Sequence, residues 1–222
     1  MRSFKTAPAS HSTDAAPPQS RSRHLTGVGL AVWLLVVAIG FGIAWNYELT
    51  EGPVAAPPQR WPAASGVARI PGRPILVMAV HPHCPCTRAT LEELNRLLAQ
   101  ISGKLTIHLL FVRPPGLTRK WTETDLWRNA QSVPGVNVMM DVDGAEAKRF
   151  CLATSGQVVF YDREGRLRFT GGITPSRGHA GDSAGQAAII ALVERGESEL
   201  GSSPAFGCPL FSPGAEEATP CR

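Results

Sequence analysis

The sequence has no basic stripe and no zinc-finger spacing. Its net charge of +4 is modest and its arginines are spread, so a nucleic-acid partner is not expected. Its glycine-rich stretch, residues 171–185, lacks the Gly-Lys-Ser/Thr of a phosphate loop, which argues against nucleotide binding. Asp141-Val142-Asp143-Gly144 is followed by no series of oxygen ligands, so it reads as a turn and helix cap rather than a calcium loop. Charge is also missing altogether from Leu25 to Tyr47. That last absence organises the N-terminal quarter of the chain.

An uncharged apolar run of this length can span a bilayer as a helix. Trp45 and Tyr47 at its far end suit the aromatic belt, Arg2, Lys5, Arg21 and Arg23 precede it, and Glu48 and Glu51 follow. The positive-inside rule then places the N-terminus in the cytoplasm and the rest of the chain outside, in a bacterial periplasm, as a single-pass inner-membrane protein. A cleaved signal peptide is the alternative, with Val54-Ala55-Ala56 offering small residues, although the apolar run is long for one and Pro57 follows directly. Residues 1–24 are expected to be a disordered cytoplasmic segment, and residues 48–73 a Pro-rich spacer that holds the domain off the membrane. Within it Arg60-Trp61 could touch headgroups.

The domain is expected over 74–196. Pro74 to Val80 is an apolar run and reads as a fully buried strand. Thr87 to Ile101 has Leu91, Leu94, Leu98 and Ile101 on one helical face. A second buried strand covers Leu105–Val112, a helix covers 122–132, and a short strand covers Val136–Met140. Ala145–Leu152 reads as a short helix carrying Cys151, with that thiol unpaired and buried. Gln157–Tyr161 and Leu167–Phe169 form a hairpin about Asp162–Gly165. The last helix runs from Ala184 to Glu194, capped by Asp182 or Ser183. The order β-α-β-α-β-α-β-β-α predicts an α/β fold with a central sheet flanked by helices.

Between the first strand and first helix stands His81-Pro82-His83-Cys84-Pro85-Cys86-Thr87-Arg88. Free backbone N–H groups and the positive end of the helix dipole favour a thiolate there. Arg88, and His81 or His83 if protonated, would push the same way. Strand, cysteine turn and amphipathic helix resemble the opening of thioredoxin-fold proteins, in particular the membrane-anchored TlpA and ResA type. That family carries Cys-x-x-Cys, whereas this chain has Cys-x-Cys, a spacing that leaves little slack for a bridge. The resemblance implies a reversible dithiol and no bound cofactor, with Cys84 attacking and Cys86 resolving. It also implies clients such as apo-cytochromes or copper-site cysteines. Where the family has a cis-proline facing the thiols, this chain has Thr154-Ser155-Gly156, and a hydroxyl there would be the substitute.

Beyond the domain, residues 197–222 form a Gly/Ser/Pro/Glu tail whose Phe206, Leu210 and Phe211 should dock. In an oxidising compartment Cys208 and Cys221 could pair with each other. Cys208 could instead resolve a disulfide at Cys84/Cys86. The glycine-rich loop contributes Arg177 and His179, and His179 is a candidate for the site. The cysteine turn, the Arg177-Gly178-His179 loop and the Phe206–Leu210 tail together resemble an uncharacterised bacterial group labelled RedB, which implies no activity. The alternative chemistry is soft-metal binding. Sco-like copper chaperones also use a thioredoxin fold with two cysteines and a distant histidine, and Cys84, Cys86 and His179 would be the ligands here. An inert tethered module is the remaining reading.

Overall fold

A computed structural model describes residues 19–101 and 103–211, with side chains from residue 24 onward. The chain forms two compact units, divided between Trp45 and Asn46. The first consists of most of helix α1 (Gln19–Leu49). This helix starts ahead of the apolar run, so residues 19–24, expected in a disordered segment, are helical; residues 1–18 lie outside the described residues. Between His24 and Leu49 the helix is long and apolar enough to cross a membrane once. Its apolar side chains, Leu30, Trp33, Leu35, Ile39 and Phe41 among them, are exposed rather than packed into a core, which excludes the core helix of a soluble domain.

The second unit is built on a five-stranded sheet of order β3-β2-β1-β4-β5. Its elements are β1 (Ile75–Val80), α2 (Thr87–Ile101), β2 (Thr106–Arg113), α3 (Arg119–Thr122), α4 (Asp125–Gln131), β3 (Val136–Val142), α5 (Ala145–Arg149), β4 (Val158–Tyr161), β5 (Leu167–Gly171) and α6 (Ala184–Arg195). Strands β1, β2 and β3 run parallel, and β4 and β5 pair antiparallel on the other side of β1. Where one helix was expected over 122–132 there are two. The first ends at Thr122 with Glu123 as its cap, and Thr124 caps the second, its hydroxyl accepting from the Trp127 N–H. Ser183 caps α6 by accepting from the Gln186 N–H. Asp141 caps α5, its carboxylate accepting from the Glu146 and Ala147 N–H groups.

Every residue of β1 is buried, because alternate side chains enter two different cores. Leu76, Met78 and Val80 face a cluster filled by Leu91, Leu94, Leu97 and Ile101 of α2, Leu126 and Trp127 of α4, and Ile189 and Leu192 of α6. Ile75, Val77 and Ala79 face a second cluster with Phe150, Leu152, Tyr161, Val67 and Leu210, against which Trp61 and Phe211 pack. Three helices thus cover one face and only the five-residue α5 lies on the other. A sheet with parallel strands must be covered on both faces, and the segments before and after the domain complete the second.

This corrects the spacer expected at 48–73. Trp61 packs edge-on to Phe150 and Tyr161, with centroids 4.9 and 5.4 Å apart, instead of pointing to headgroups. The Trp61 N–H donates to the Gly165 carbonyl and the Tyr161 hydroxyl to the Pro58 carbonyl. The tail docks as expected: Leu210 is buried, and Phe211 lies beneath Lys148.

Cys151 also differs from expectation. It lies past the end of α5 with a φ of 55°, and it is disulfide-bonded rather than the unpaired thiol. Cys208 is free, so it is not bridged to Cys221, which itself lies outside the described residues.

Candidate functional site

Strand β1 ends at Val80 and α2 begins at Thr87. Between them the chain makes tight turns: the Cys84 N–H donates to the His81 carbonyl, and the Thr87 N–H to the Cys84 carbonyl. Cys84 therefore sits just ahead of the first turn of α2, where the helix dipole favours negative charge. Cys84 is 1% exposed and Cys86 7%. Both thiols are free.

Ser155 holds this turn in place. The His81 N–H donates to its hydroxyl at 2.8 Å, and that hydroxyl lies 3.0 Å from Thr87 Oγ1. Thr87 in turn helps to hold the Cys84 thiol low. The His81 N–H and the Ser155 and Thr87 hydroxyls form a connected polar group behind the thiol, and such a group fixes the turn. Thr154 has a different job. Its hydroxyl donates to the Pro53 carbonyl at 2.7 Å and ties down the segment leaving α1. No cis peptide bond occurs among the described residues, so Ser155 approaches the cysteine turn on trans backbone.

Cys208 is the third thiol of the site. Its sulfur lies 3.1 Å from that of Cys84. The tail reaches this point as an added strand segment, with the Ser155 N–H donating to the Cys208 carbonyl and the Leu210 N–H to the Ala153 carbonyl, both at 2.9 Å. Thr154 and Pro209 form the antiparallel bridge between them. Gly207 allows the close approach, because a Cβ there would overlap the Ser155 carbonyl oxygen. On the outer side, Arg177 donates to the Gly207 carbonyl at 2.6 Å and to the Thr50 carbonyl at 2.9 Å, with its guanidinium over the Tyr47 ring.

The three thiols differ electrostatically. Burial alone would raise Cys84, but hydrogen bonds from the Cys208 thiol and backbone, from Thr87 and from the Cys86 backbone outweigh it and hold Cys84 below the usual thiol range. Burial pushes Cys86 up, and the neighbouring Cys84 charge adds to this, with Arg177 opposing. Burial pushes Cys208 up to about 12, aided by its hydrogen bond to Cys84 and by the charges of both other cysteines. One thiolate at Cys84, with Cys208 donating to it, is the arrangement these effects favour.

The remaining candidates fall into place around this centre. His81 is half-buried, and burial, followed by the charge of His83, pushes it toward the neutral form, so it does not supply the expected cation. His83 is exposed, 2.9 Å through Nε2 from the Trp121 carbonyl, and both imidazoles pack on the Trp121 ring. Arg88 spends its guanidinium on Asp125, 2.6 Å away on the exposed surface, and is not among the groups that lower Cys84. His179 turns onto its own loop, at 3.1 Å from Ser176 Oγ and 2.8 Å from the Arg177 carbonyl. The loop residue that reaches the cysteine-bearing tail is Arg177. Among the described residues, no cluster of three or more His, Cys, Asp or Glu side chains is arranged to hold a metal ion. Thr87 and Trp121 were not singled out from the sequence, and Arg177 was named as a reactive loop group but passed over for His179. Thr87 had a local signal, since it stands three residues after Cys84 at a helix start, and Trp121 had none.

No family model and no curated protein matches the chain. Solved structures do resemble it in fold. A hypothetical protein from Sinorhizobium meliloti 1021 superposes with a TM-score of 0.52 at 20% identity, covering 73% of this chain and 94% of that one. An uncharacterized conserved protein from Geobacillus kaustophilus gives 0.52 at 20% identity over 75% and 94%. StoA from Bacillus subtilis is more distant, with a TM-score of 0.43 at 13% identity over 64% of this chain and 98% of StoA. The likeness to the RedB group rests on the three motifs alone. Three parallel strands, an antiparallel closing hairpin beside β1, and a cysteine turn joining β1 to the first helix of the sheet domain are the marks of one architecture: the domain has a thioredoxin-like fold.

Proposed function

We propose that this protein is a membrane-anchored thiol–disulfide oxidoreductase that acts on the periplasmic side of a bacterial inner membrane, with Cys84 as its nucleophile. The observation that carries the reading is the environment of Cys84. It is a buried thiol at a helix N-terminus, held below the usual thiol range by three hydrogen-bonding partners, with a second thiol 3.1 Å away. A thiolate attacks a disulfide sulfur, and a nearby thiol then releases the client. The neighbours available for that second step are Cys86 and Cys208. The chemistry needs no bound cofactor. Its partners are protein thiols and disulfides, such as cysteines of apo-cytochromes or copper sites, with electrons delivered across the membrane. Helix α1 is the anchor, oriented by Arg21 and Arg23 ahead of its uncharged stretch and by Glu48 and Glu51 after it.

The test uses the full-length chain in detergent micelles, because Gly52 and Pro53 bond to the domain at this site. The protein is incubated with a disulfide-bonded peptide and with reduced glutathione as the electron donor, and peptide thiols released above the rate with glutathione alone are counted. Turnover that disappears in Cys84→Ser is the expected result. Turnover that survives the substitution would overturn the assignment. Copper and zinc assayed in the same sample address the Sco-like alternative, in which Cys84 and Cys86 would be shielded from alkylation until metal is stripped.

A further inference from the structure

The described part of the tail, residues 197–211, is mostly irregular, yet Phe206–Leu210 is placed in a specific way. It lies antiparallel to Ala153–Ser155, joined by two backbone hydrogen bonds that flank the Thr154–Pro209 bridge. An extended peptide added to exposed main chain in this manner is a standard mode of peptide recognition. The peptide here is the chain's own, and the side chain it presents to Cys84 is a thiol. The alignment is reinforced from both sides: Gly207 fits only without a Cβ, and Arg177 clamps its carbonyl.

We infer that Cys208 is the resolving cysteine of this site, and that the tail delivers it by occupying the backbone edge at Ala153–Ser155 as a built-in substrate strand. The inference rests on Cys84 acting as the nucleophile. In the reducing direction, the Cys84 thiolate attacks a client disulfide R–S–S–R′, forming Cys84–S–S–R and releasing R′–S⁻, which takes up a proton from water. The Cys208 sulfur then attacks Cys84, forming Cys84–S–S–Cys208. Its proton leaves with the departing R–S⁻ as R–SH. Two electrons pass from the Cys84/Cys208 pair to the client, and the reverse sequence oxidises a client dithiol.

The electrostatics fit the order of events. Cys208 is kept protonated by burial and by the Cys84 thiolate that accepts its hydrogen bond. Once Cys84 is consumed in a mixed disulfide, that negative charge is gone and Cys208 becomes easier to deprotonate. The resting site thus carries one nucleophile, and the second is released by the first step. The same placement makes the tail a competitor for the edge, so an extended client must displace Phe206–Leu210 or approach from the side of Trp121.

The deciding experiment is a disulfide map. Wild-type chain, Cys86→Ser and Cys208→Ser, each full-length in micelles, are reduced, exposed to oxidised glutathione, alkylated and digested. A Cys84–Cys208 linked peptide is expected in wild type and in Cys86→Ser. In Cys208→Ser a Cys84–glutathione adduct should accumulate that the other two clear. A Cys84–Cys86 linked peptide in wild type, with glutathione cleared as well by Cys208→Ser, would overturn the role of Cys208 while leaving Cys84 exchange intact. Failure of Cys84 to take up glutathione in all three proteins would remove the nucleophile and this inference with it.

Discussion

Cys84 and Cys208 carry the same side chain and their sulfurs lie 3.1 Å apart, yet their surroundings drive them in opposite directions. The cysteine turn is local structure. A buried strand ends, a helix begins, and a thiol between them meets backbone N–H groups and a threonine hydroxyl. The tail is nearly all long-range structure. Among its described residues, 197–211, it has no helix or strand of its own, and it is held by Ala153, Ser155 and Arg177, residues far away in sequence. The comparison teaches that burial alone does not decide how a thiol titrates. Cys84 is the more buried of the two, yet it is the one held low, because it accepts hydrogen bonds.

The comparison can be broken most completely at the nucleophile. Cys84→Ser should lower peptide-disulfide reduction by about a thousandfold or more, since the step made by the thiolate has no substitute; steady-state turnover in micelles checks this. Next is Gly207→Ala. The added methyl meets backbone, which cannot swing aside as a side chain can, so the tail should leave Ser155. The expected result is loss of the Cys84–Cys208 linkage together with destabilisation of about 1–3 kcal/mol, the usual cost of overpacking, read by disulfide mapping and chemical denaturation. Ser155→Ala should cost about 1–3 kcal/mol, because it leaves the buried His81 N–H without its acceptor. Slower alkylation of Cys84 should accompany it, as Thr87 loses its orientation.

A finer test lies in the pH profile of Cys84 alkylation. A thiolate reacts and a thiol does not, so the rate falls as pH drops through the Cys84 pKa, at a pH below that of an ordinary thiol. Cys208→Ala removes the strongest donor to the sulfur and should move the profile upward in pH. Cys208→Ser retains an O–H donor and should move it less. Equal profiles for the two variants would show that the Cys208 side chain does not tune Cys84. The smallest effect is expected at Arg88→Ala. An exposed ion pair is worth about 0–1 kcal/mol, and Arg88 is engaged with Asp125, so neither stability nor the alkylation profile should change appreciably.

The parts of the site legible in the sequence were those in which neighbours in the chain are neighbours in space. The strand at 74–80, the helix at 87–101 and the cysteine turn between them follow from hydrophobic period and helix-start chemistry; the structure starts the strand one residue later, at Ile75, and keeps the helix bounds. The closing hairpin and the Ser183 cap were equally local. Arg88 and His81 misled because sequence proximity to a thiol says nothing about competing partners. Asp125 claims the arginine, and burial keeps the histidine neutral. His179 misled for a related reason: a reactive side chain in a long loop satisfied itself within that loop, while Arg177 two residues earlier reached the tail. Residues 48–73 read from composition as a semi-extended spacer outside the domain, yet Trp61 packs against the domain because it covers sheet surface that helices leave bare.

The sequence by itself determined the apolar helix, the order of strands and helices and a thiol ahead of α2, since these depend on periodicity and on backbone groups within a few residues. Only the tertiary structure decided which side chains surround that thiol. Ser155 and Cys208 come to it through backbone pairing between segments some fifty residues apart, and such pairing leaves no periodic trace in either segment. What selects it is the uncovered face of the sheet, where burying Leu210 contributes about 1.5–3 kcal/mol and carries Cys208 to within 3.1 Å of Cys84.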